Sequence, residues 1–318
     1  MSNENKDNNK ATITRLVNDG ASEKESLFNQ GREHESGNDL VTDEIANAEA
    51  VINQGSSDQM SSNNDHTTFS RQNVLVLKRL RDAHMLVTGS GLTPAFFDEY
   101  RRIKRPLLSN AFGKTASLVD RGNLILITSS LAGEGKTNSA INLALSIAHE
   151  RDHTVLLVDC DIVKQGVSRM LGVENMPGLV DVLEHESHTV GDVLLNTDIH
   201  NFTVLPAGTQ SEYVTELLAS QRMMNIVEEI SRRYDDRIII FDGPPLLPTP
   251  ESQILLGLVG QIVFIVETGK TPQDIVKEAL EMIPEDKAMG LVMNKSEGSS
   301  GRSGYYYGYY APEKDKNE

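Results

Sequence analysis

The sequence predicts an α/β protein whose core is a doubly wound, mainly parallel sheet with helices on both faces. Three observations predict this class. Strand-like apolar runs alternate along the chain with helical segments, the runs are continuously apolar as strands covered on both faces must be, and apolar residues in the intervening segments recur with the 3.6-residue period of a helix. The apolar runs span residues 124–127, 155–158, 204–205, 238–241, 262–266 and 291–293.

Length, charge and cysteine content exclude several classes of protein. The 318 residues include 46 acidic and 30 basic side chains, for a net charge of −16. This balance disfavours nucleic acid as the main partner, because phosphate backbones are bound by surplus Lys and Arg. The single cysteine, Cys160, excludes a disulfide framework. No apolar run is long enough for a membrane-spanning helix and no apolar signal opens the chain, so we expect a cytoplasmic protein.

Composition divides the chain into four predicted segments. Residues 1–70 carry 13 acidic and 5 basic side chains and only two aromatic ones, which predicts a disordered acidic leader. Residues 71–115 are basic and amphipathic and are interpreted as a docking and oligomerisation segment. Residues 116–297 contain the alternating strands and helices, and residues 298–318 form a flexible tail rich in Gly, Ser and Tyr.

The strongest chemical signal follows the first apolar run, where residues 130–137 read Ser-Leu-Ala-Gly-Glu-Gly-Lys-Thr before an Ala-, Leu- and Ile-rich helix. Glycines let successive N–H groups point at phosphate oxygens, and the following helix adds its positive N-terminal dipole. Lys136 is placed to reach the β- and γ-phosphates, and Thr137 to bind Mg²⁺. The pattern predicts a P-loop NTPase-type fold, although Ser130 replaces the usual first glycine. The predicted ATP-binding residues here are Ser130, Leu131, Ala132, Gly133, Glu134, Gly135, Lys136, Thr137 and Asn138.

Carboxylates end two further apolar runs. Asp159 and Asp161 follow residues 155–158, and Asp242 follows residues 238–241. Such an Asp either caps the next helix or lies at the carboxyl edge of the sheet, where parallel sheets bind ligands. Two such strands beside a phosphate loop favour Mg²⁺, which takes few carboxylates together with phosphates and waters. The predicted metal ligands are Thr137, Asp161 and Asp242.

These motifs, in this order, resemble those of the bacterial tyrosine kinases, in particular the exosortase-associated tyrosine autokinases of exopolysaccharide gene clusters. The resemblance spans residues 73–310 and rests also on residues 99–108, on residues 241–247 (Phe-Asp-Gly-Pro-Pro-Leu-Leu) and on the terminal tyrosines. It implies that residues 116–297 are a kinase domain that uses ATP and Mg²⁺.

The resemblance also implies individual roles. Lys136 and Thr137 match Walker A, Asp159 and Asp161 match the family's A′ motif, and Asp242 matches Walker B. Lys136, Asp159 and Asp161 are then catalytic, with Asp159 orienting or deprotonating the acceptor phenol. Asn294 ends the last strand where relatives meet the adenine, although an Asn in a turn is an equal reading. Relatives carry an Arg soon after the second Asp of A′, where this chain has Val163 and Lys164.

Two surface features resemble the family's regulatory elements. Glu99, Arg102 and Arg105 match its E-x-x-R-x-x-R oligomerisation motif and lie along one side of a predicted helix; the alternative is a solvated charged face. Five of the eight tyrosines lie near the C-terminus. They are read as phosphorylation sites rather than as a sticky aromatic tail. The five are Tyr305, Tyr306, Tyr307, Tyr309 and Tyr310.

The function that the resemblance implies is autophosphorylation of this tyrosine cluster, in trans within a ring, to regulate exopolysaccharide polymerisation and export. It implies a separate transmembrane chain-length regulator and a tyrosine phosphatase as partners, and a location at the inner membrane through the first of them. The alternative is a partition or positioning ATPase without kinase activity. Those proteins need a lysine early in the loop, where this chain has Leu131.

Overall fold

The six apolar runs form the six central strands of the sheet in the computed structural model, which describes residues 12–14, 72–87 and 91–296. Within these residues the sheet has nine strands, so three are additional to the predicted ones. The strands are β1 (Thr12–Thr14), β2 (Gln72–Val74), β3 (Leu124–Ser129), β4 (Thr154–Asp159), β5 (Leu195–Thr197), β6 (Phe202–Leu205), β7 (Arg237–Asp242), β8 (Gln261–Glu267) and β9 (Ala288–Asn294).

The strand order is β1-β9-β8-β3-β7-β4-β6-β5-β2. The six strands from β9 to β6 are all parallel, as their continuous apolar sequences predict. Antiparallel pairing occurs only towards the edges of the described sheet, between β5 and β6 and between β1 and β9. The doubly wound, mainly parallel fold predicted from the sequence is therefore confirmed.

Helices connect the parallel strands, because parallel neighbours need a long crossover connection. The helices are α1 (Leu77–Asp82), α2 (Pro94–Phe112), α3 (Lys136–Ala148), α4 (Gly166–Leu171), α5 (Leu179–Glu184), α6 (Val190–Val193), α7 (Val214–Leu218), α8 (Gln221–Arg232), α9 (Glu251–Leu258) and α10 (Gln273–Glu281), with a short 3₁₀ helix at Ala116–Leu118. None of these helices combines the length and the apolar character needed to span a bilayer.

Each central strand contributes to two separate cores, one on each face of the sheet. Ile125 and Ile127 of β3 lie in the core that contains α2 and α3, whereas Leu124 and Leu126 lie in the core that contains α8 and α9. This alternation follows from the two-residue period of a strand. It fixes β3, and therefore the loop after it, from both sides.

Helix α2 packs its buried side against α3, the helix that follows the phosphate loop. Tyr100 and Ile103 are buried in the first core, and Lys104 donates from Nζ to the carbonyl of Ser146 at 2.6 Å. Burial raises the pKa of Tyr100 to about 12, although the nearby polar side chains of Ser139 and Asn142 act in the opposite direction. Residues 91–112 thus share a core with the nucleotide-site helix.

Two predicted segments lie almost entirely outside the described residues. Of the leader predicted over residues 1–70, the structure describes only β1, which pairs with β9. The tail predicted over residues 298–318, with its five tyrosines, begins beyond the last described residue, Ser296. Both therefore stay predictions.

Candidate active site

The loop between β3 and α3 has the backbone of a phosphate cradle. Gly133 and Gly135 have φ values of +89° and +98°, a left-handed conformation that side chains disfavour. A Cβ atom on Gly135 would also overlap Nδ2 of Asn294, whereas one on Gly133 would meet nothing within 4 Å. The positive φ therefore favours glycine at both positions. At Gly135, the close approach of Asn294 also leaves no room for a side chain.

One side of this loop faces the ends of β4 and β7, and we call it the metal face: Thr137, Asp159, Asp161 and Asp242. Asp159 and Asp242 are paired in register on these neighbouring strands. The Thr137 hydroxyl donates to Oδ2 of Asp242 at 2.7 Å. The backbone N–H and the hydroxyl of Ser168 both donate to Oδ2 of Asp159, at 2.8 and 2.7 Å.

The remaining oxygens of the metal face are buried and unsatisfied. Asp159 and Asp242 are each 0% exposed, and Oδ1 of each accepts no hydrogen bond from any described residue. A buried carboxylate oxygen without a partner is costly, so such an oxygen in a native fold calls for a ligand or a proton. The predicted helix-capping alternative holds for Oδ2 of Asp159, which binds the N–H of Ser168 in α4, but it leaves Oδ1 unexplained.

Burial and mutual repulsion shape the electrostatics of this face. The pKa of Asp159 is raised to about 6, mainly by burial; two hydrogen bonds from Ser168 oppose this rise, and the charge of Asp161 contributes to it. Burial and then the charge of Asp159 raise the pKa of Asp242 well above its usual range. Burial lowers the pKa of Lys136, while the carboxylates of Asp242 and Asp161 raise it. A cation arriving here would relieve the carboxylates.

The residues fit a magnesium ion on these observations. Hard Mg²⁺ is usually held by one or two carboxylates plus phosphate oxygens and waters, which matches the buried Oδ1 of Asp242, without a partner among the described residues, beside the Thr137 hydroxyl. Among the described residues, no group of three or more His, Cys, Asp or Glu side chains forms a metal cluster by itself. Asp161 is 6% exposed and accepts from the backbone N–H of Lys164 at 3.2 Å.

The opposite side of the loop is held by side-chain hydrogen bonds, and we call the residues that make them the latch: Glu134, Glu267, Thr271, Asn294 and Lys295. The Glu134 carboxylate is 2% exposed and accepts from the Leu131 N–H at 2.7 Å and from the Thr271 hydroxyl at 2.5 Å. Nδ2 of Asn294 donates to the Glu134 carbonyl at 2.8 Å.

Lys295 completes the latch. Its Nζ donates to the Gly133 carbonyl at 2.8 Å and lies 3.2 Å from Oε2 of Glu267. Two consecutive residues at the end of β9 thus hold two consecutive carbonyls of the phosphate loop. Asn138, the last predicted ATP-binding residue, lies in the first turn of α3, where its side-chain oxygen accepts from Asn142 at 2.8 Å.

The predicted oligomerisation stripe lies on the outer side of α2. Arg102 and Arg105 are exposed and Glu99 is half-buried, while Tyr100 and Ile103 point into the core. The stripe is therefore on one side of a helix, as its spacing predicts. Its role in a subunit contact stays a prediction.

Sequence reasoning missed the residues that hold the site residues in place. Glu267, Thr271 and Lys295 contact the loop from 133 to 162 residues away along the chain, and Ser168 fixes Asp159 from the next helix. Two signals were present: a buried acid inside the loop, and an Asn-Lys pair ending the last strand.

Comparison with known proteins agrees with this site. Residues 122–270, from β3 to just beyond β8, match the AAA domain family. The chain is 32% identical to the tyrosine-protein kinase YwqD of Bacillus subtilis over 215 residues, covering 67% of this chain and 85% of that protein.

The chain belongs to the bacterial tyrosine-protein kinases. The exosortase-associated subgroup stays a prediction. The kinase is also 32% identical over 179 residues to the succinoglycan biosynthesis transport protein ExoP of Rhizobium meliloti, covering 55% of this chain but only 22% of that one. Its fold is similar to that of the crystallised chimerical protein CapA2B2, with a TM-score of 0.58 and 24% identity, covering 71% of this kinase and 94% of that chain.

Proposed function

We propose that this kinase transfers the γ-phosphoryl group of ATP to the tyrosines of its own C-terminal tail, between subunits of a ring. The observation that carries the proposal is the metal face: two buried carboxylate oxygens without partners beside the lysine of a phosphate loop. Family membership supports tyrosine as the acceptor.

ATP would lie in the cradle of residues 130–137, where the backbone N–H groups and Lys136 meet its phosphates. Thr137, Asp161 and Asp242 would hold Mg²⁺, which on binding neutralises charge on the phosphates. Lys136 is almost fully buried, so its charge acts on the transferring group with little screening by water. The charge of Lys164 lowers the pKa of Lys136, so the two lysines lie near each other. In the sequence, Lys164 is also the cation nearest to the position at which relatives carry the A′ arginine.

Asp159 is the proposed base for the acceptor phenol. An unperturbed phenol has a pKa of about 10, so it must be deprotonated or oriented as it attacks at neutral pH. Ser168 occupies Oδ2 of Asp159 with two donors, which leaves Oδ1 as the oxygen able to take the proton. A carboxyl pKa of about 6 is closer to the working pH than that of an ordinary aspartate.

The tail is within reach of the site. Strand β9 is parallel to its neighbour β8, so its end at Asn294 lies at the same sheet edge as the phosphate loop. Tyr305 lies eleven positions beyond Asn294, which makes a tether of at most about 40 Å. Phosphorylation of all five tyrosines would add about −8 to −10 charges. Because the chain already carries −16, this repulsion favours ring dissociation.

The proposed role is control of exopolysaccharide polymerisation and export. The similarity to ExoP supports it, since that protein's name assigns it to succinoglycan biosynthesis and transport. The matched segment occupies only 22% of ExoP. The partners we propose are a separate transmembrane chain-length regulator, which would place this kinase at the inner membrane, and a tyrosine phosphatase, which would reverse the modification.

The test is phosphotyrosine formation with Mg·ATP in purified protein, measured by immunoblot. We expect signal in the wild type, none in Lys136→Met, and none when all five tail tyrosines are replaced by Phe. Among the three tyrosines outside the tail, Tyr213 is the exposed one, at 65%, so Tyr213→Phe is the matched control and should retain the signal. Signal that survives the five tail substitutions contradicts the proposal.

A further inference from the structure

Side chains of the latch bind three polar groups of the phosphate loop. The carbonyls of Gly133 and Glu134 are each held by a side chain from the end of β9, and the Glu134 carboxylate is held by the β8–α10 turn. A phosphate loop works by presenting N–H groups inward, which requires its carbonyls to face outward and to be satisfied there.

Lys295 differs from the other latch residues in its backbone conformation and in the two contacts of its ammonium group. Its backbone φ is +55°, a region that residues other than glycine rarely adopt and keep only where the surroundings fix it. Its ammonium group bridges the Gly133 carbonyl and the Glu267 carboxylate. A charge-assisted donor on a carbonyl is stronger than a neutral one, so this contact is a firm support for the loop.

We propose that Lys295 is a positioning residue for phosphoryl transfer, which acts by holding the Gly133 carbonyl so that the neighbouring N–H groups face the nucleotide phosphates. This inference rests on the proposed nucleotide site and extends it to a residue outside the loop. It predicts that Lys295 strengthens the binding of the nucleotide's phosphates and has no effect on the binding of its adenine.

The chain contains a matched control for this contact. Lys270 lies 3.2 Å from the same Oε2 of Glu267, the distance that Lys295 also has, yet its amino group bonds no loop atom among the described residues. Lys270→Met therefore removes one ion pair to Glu267 and leaves the loop untouched. Lys295→Met removes the equivalent ion pair and the bond to Gly133.

The experiment measures the affinity of full-length wild type, Lys295→Met and Lys270→Met for Mg·ADP by calorimetry, with inorganic pyrophosphate as a competitor. We expect Lys295→Met to bind both Mg·ADP and pyrophosphate about tenfold more weakly, since a hydrogen bond to a charged group contributes about that factor. Lys270→Met should stay within about twofold of the wild type, as exposed ion pairs contribute little. Lys295→Arg, which retains a cationic donor, should recover most of the affinity.

Three outcomes overturn the inference. They are equal affinities for the two methionine variants, weaker Mg·ADP binding with unchanged pyrophosphate binding, and a loss that Lys295→Arg fails to reduce. If Lys295→Met does not fold, as judged by circular dichroism, Lys295→Gln provides the same comparison. A wild type that binds no Mg·ADP instead contradicts the proposed function, so the two failures are distinguishable.

Discussion

The two sides of the phosphate loop differ in how completely their polar groups are satisfied. On the latch side, the Glu134 carboxylate and the carbonyls of Gly133 and Glu134 all have partners at 2.5–2.8 Å. On the metal face, Asp159 and Asp242 are buried, repel each other and leave one oxygen each without a partner. Both sides lie at the same edge of the sheet, around the same loop.

This difference indicates that the two sides of the loop have different roles. A buried carboxylate oxygen without a partner destabilises the ligand-free protein, so its presence indicates a ligand that arrives later. A satisfied network holds its atoms in place before any ligand binds, which reduces the entropy lost on binding. We infer that the latch presets the loop and that the metal face carries out the reaction.

The largest effect should come from Lys136, whose charge interacts with Asp242 and Asp161 of the metal face. Lys136→Met removes the buried cation beside the phosphates and should lower the rate of phosphotyrosine formation by at least about a hundredfold. The measurement is the initial rate of phosphorylation at saturating Mg·ATP. If Lys136→Met lowers this rate no more than Lys295→Met does, the proposed division of roles between the metal face and the latch is contradicted.

Replacing Asp159 by Asn should change how stability depends on pH. With a pKa of about 6 in the fold against 3.8 unfolded, the carboxylate destabilises the metal-free protein by up to about 3 kcal/mol above pH 6.5. This penalty is absent below pH 3.8, grows as the pH rises from the unfolded pKa of 3.8 to the folded pKa of about 6, and is constant above it. In EDTA, Asp159→Asn should therefore have a larger free energy of unfolding than the wild type at pH 7.5. At pH 5 the difference between the two proteins should be about half as large.

Urea unfolding of both proteins at the two pH values measures this prediction. Subtracting the wild type from the variant at each pH removes the titration of groups that do not interact with Asp159, whereas the effect of its charge on the pKa of Asp242 remains part of the difference. A difference in the free energy of unfolding that does not change with pH would show that Asp159 is not held in a charged, unsatisfied state.

Gly133 and Gly135 offer a matched pair for the latch side. Both have positive φ, so an alanine at either strains the backbone, by about 1 kcal/mol. Only at Gly135 would the new methyl group also displace the Asn294 side chain. Gly135→Ala should therefore weaken Mg·ADP binding about tenfold more than Gly133→Ala. Equal losses would mean that contact with Asn294 does not shape the loop.

The smallest effect on nucleotide affinity is expected from removing the tail. Deleting residues 304–310 leaves Asn294 and Lys295 in place, so Mg·ADP affinity should stay within about twofold of the wild type while phosphotyrosine formation disappears. Calorimetry and immunoblotting of the same preparation measure both. A large loss of affinity would mean that the tail itself contributes to the nucleotide site.

The central strands and the loop were predictable because their signals are local. Strands β3, β4, β7 and β8 read as continuous apolar runs, and Lys136 and Thr137 follow the first of them within a recognised spacing. The edge strands were missed because they are short and mixed in polarity, as in Leu195-Asn196-Thr197 of β5. Their pairing depends on neighbours distant in sequence.

The supporting residues were not predictable for the same reason. Glu134 and Thr271 are 137 residues apart in the chain and become neighbours only because β8 lies beside β3. The spacing of motifs gives no information on the strand order, so Glu267 and Lys295 looked like ordinary charged residues at strand ends. The acid inside the loop and the Asn-Lys pair at the end of the last strand were the visible signs that such partners exist.

The most direct test of the account mixes two chains, each lacking one half of the reaction. One is isotopically labelled Lys136→Met with an intact tail, and the other is an unlabelled active chain without residues 304–310. After incubation with Mg·ATP, mass spectrometry examines the labelled tryptic peptide of residues 303–314. We predict phosphotyrosine on that labelled peptide. Its absence, under conditions in which wild type alone is phosphorylated, would contradict transfer between subunits, and its absence in wild type as well would contradict the kinase assignment of the site.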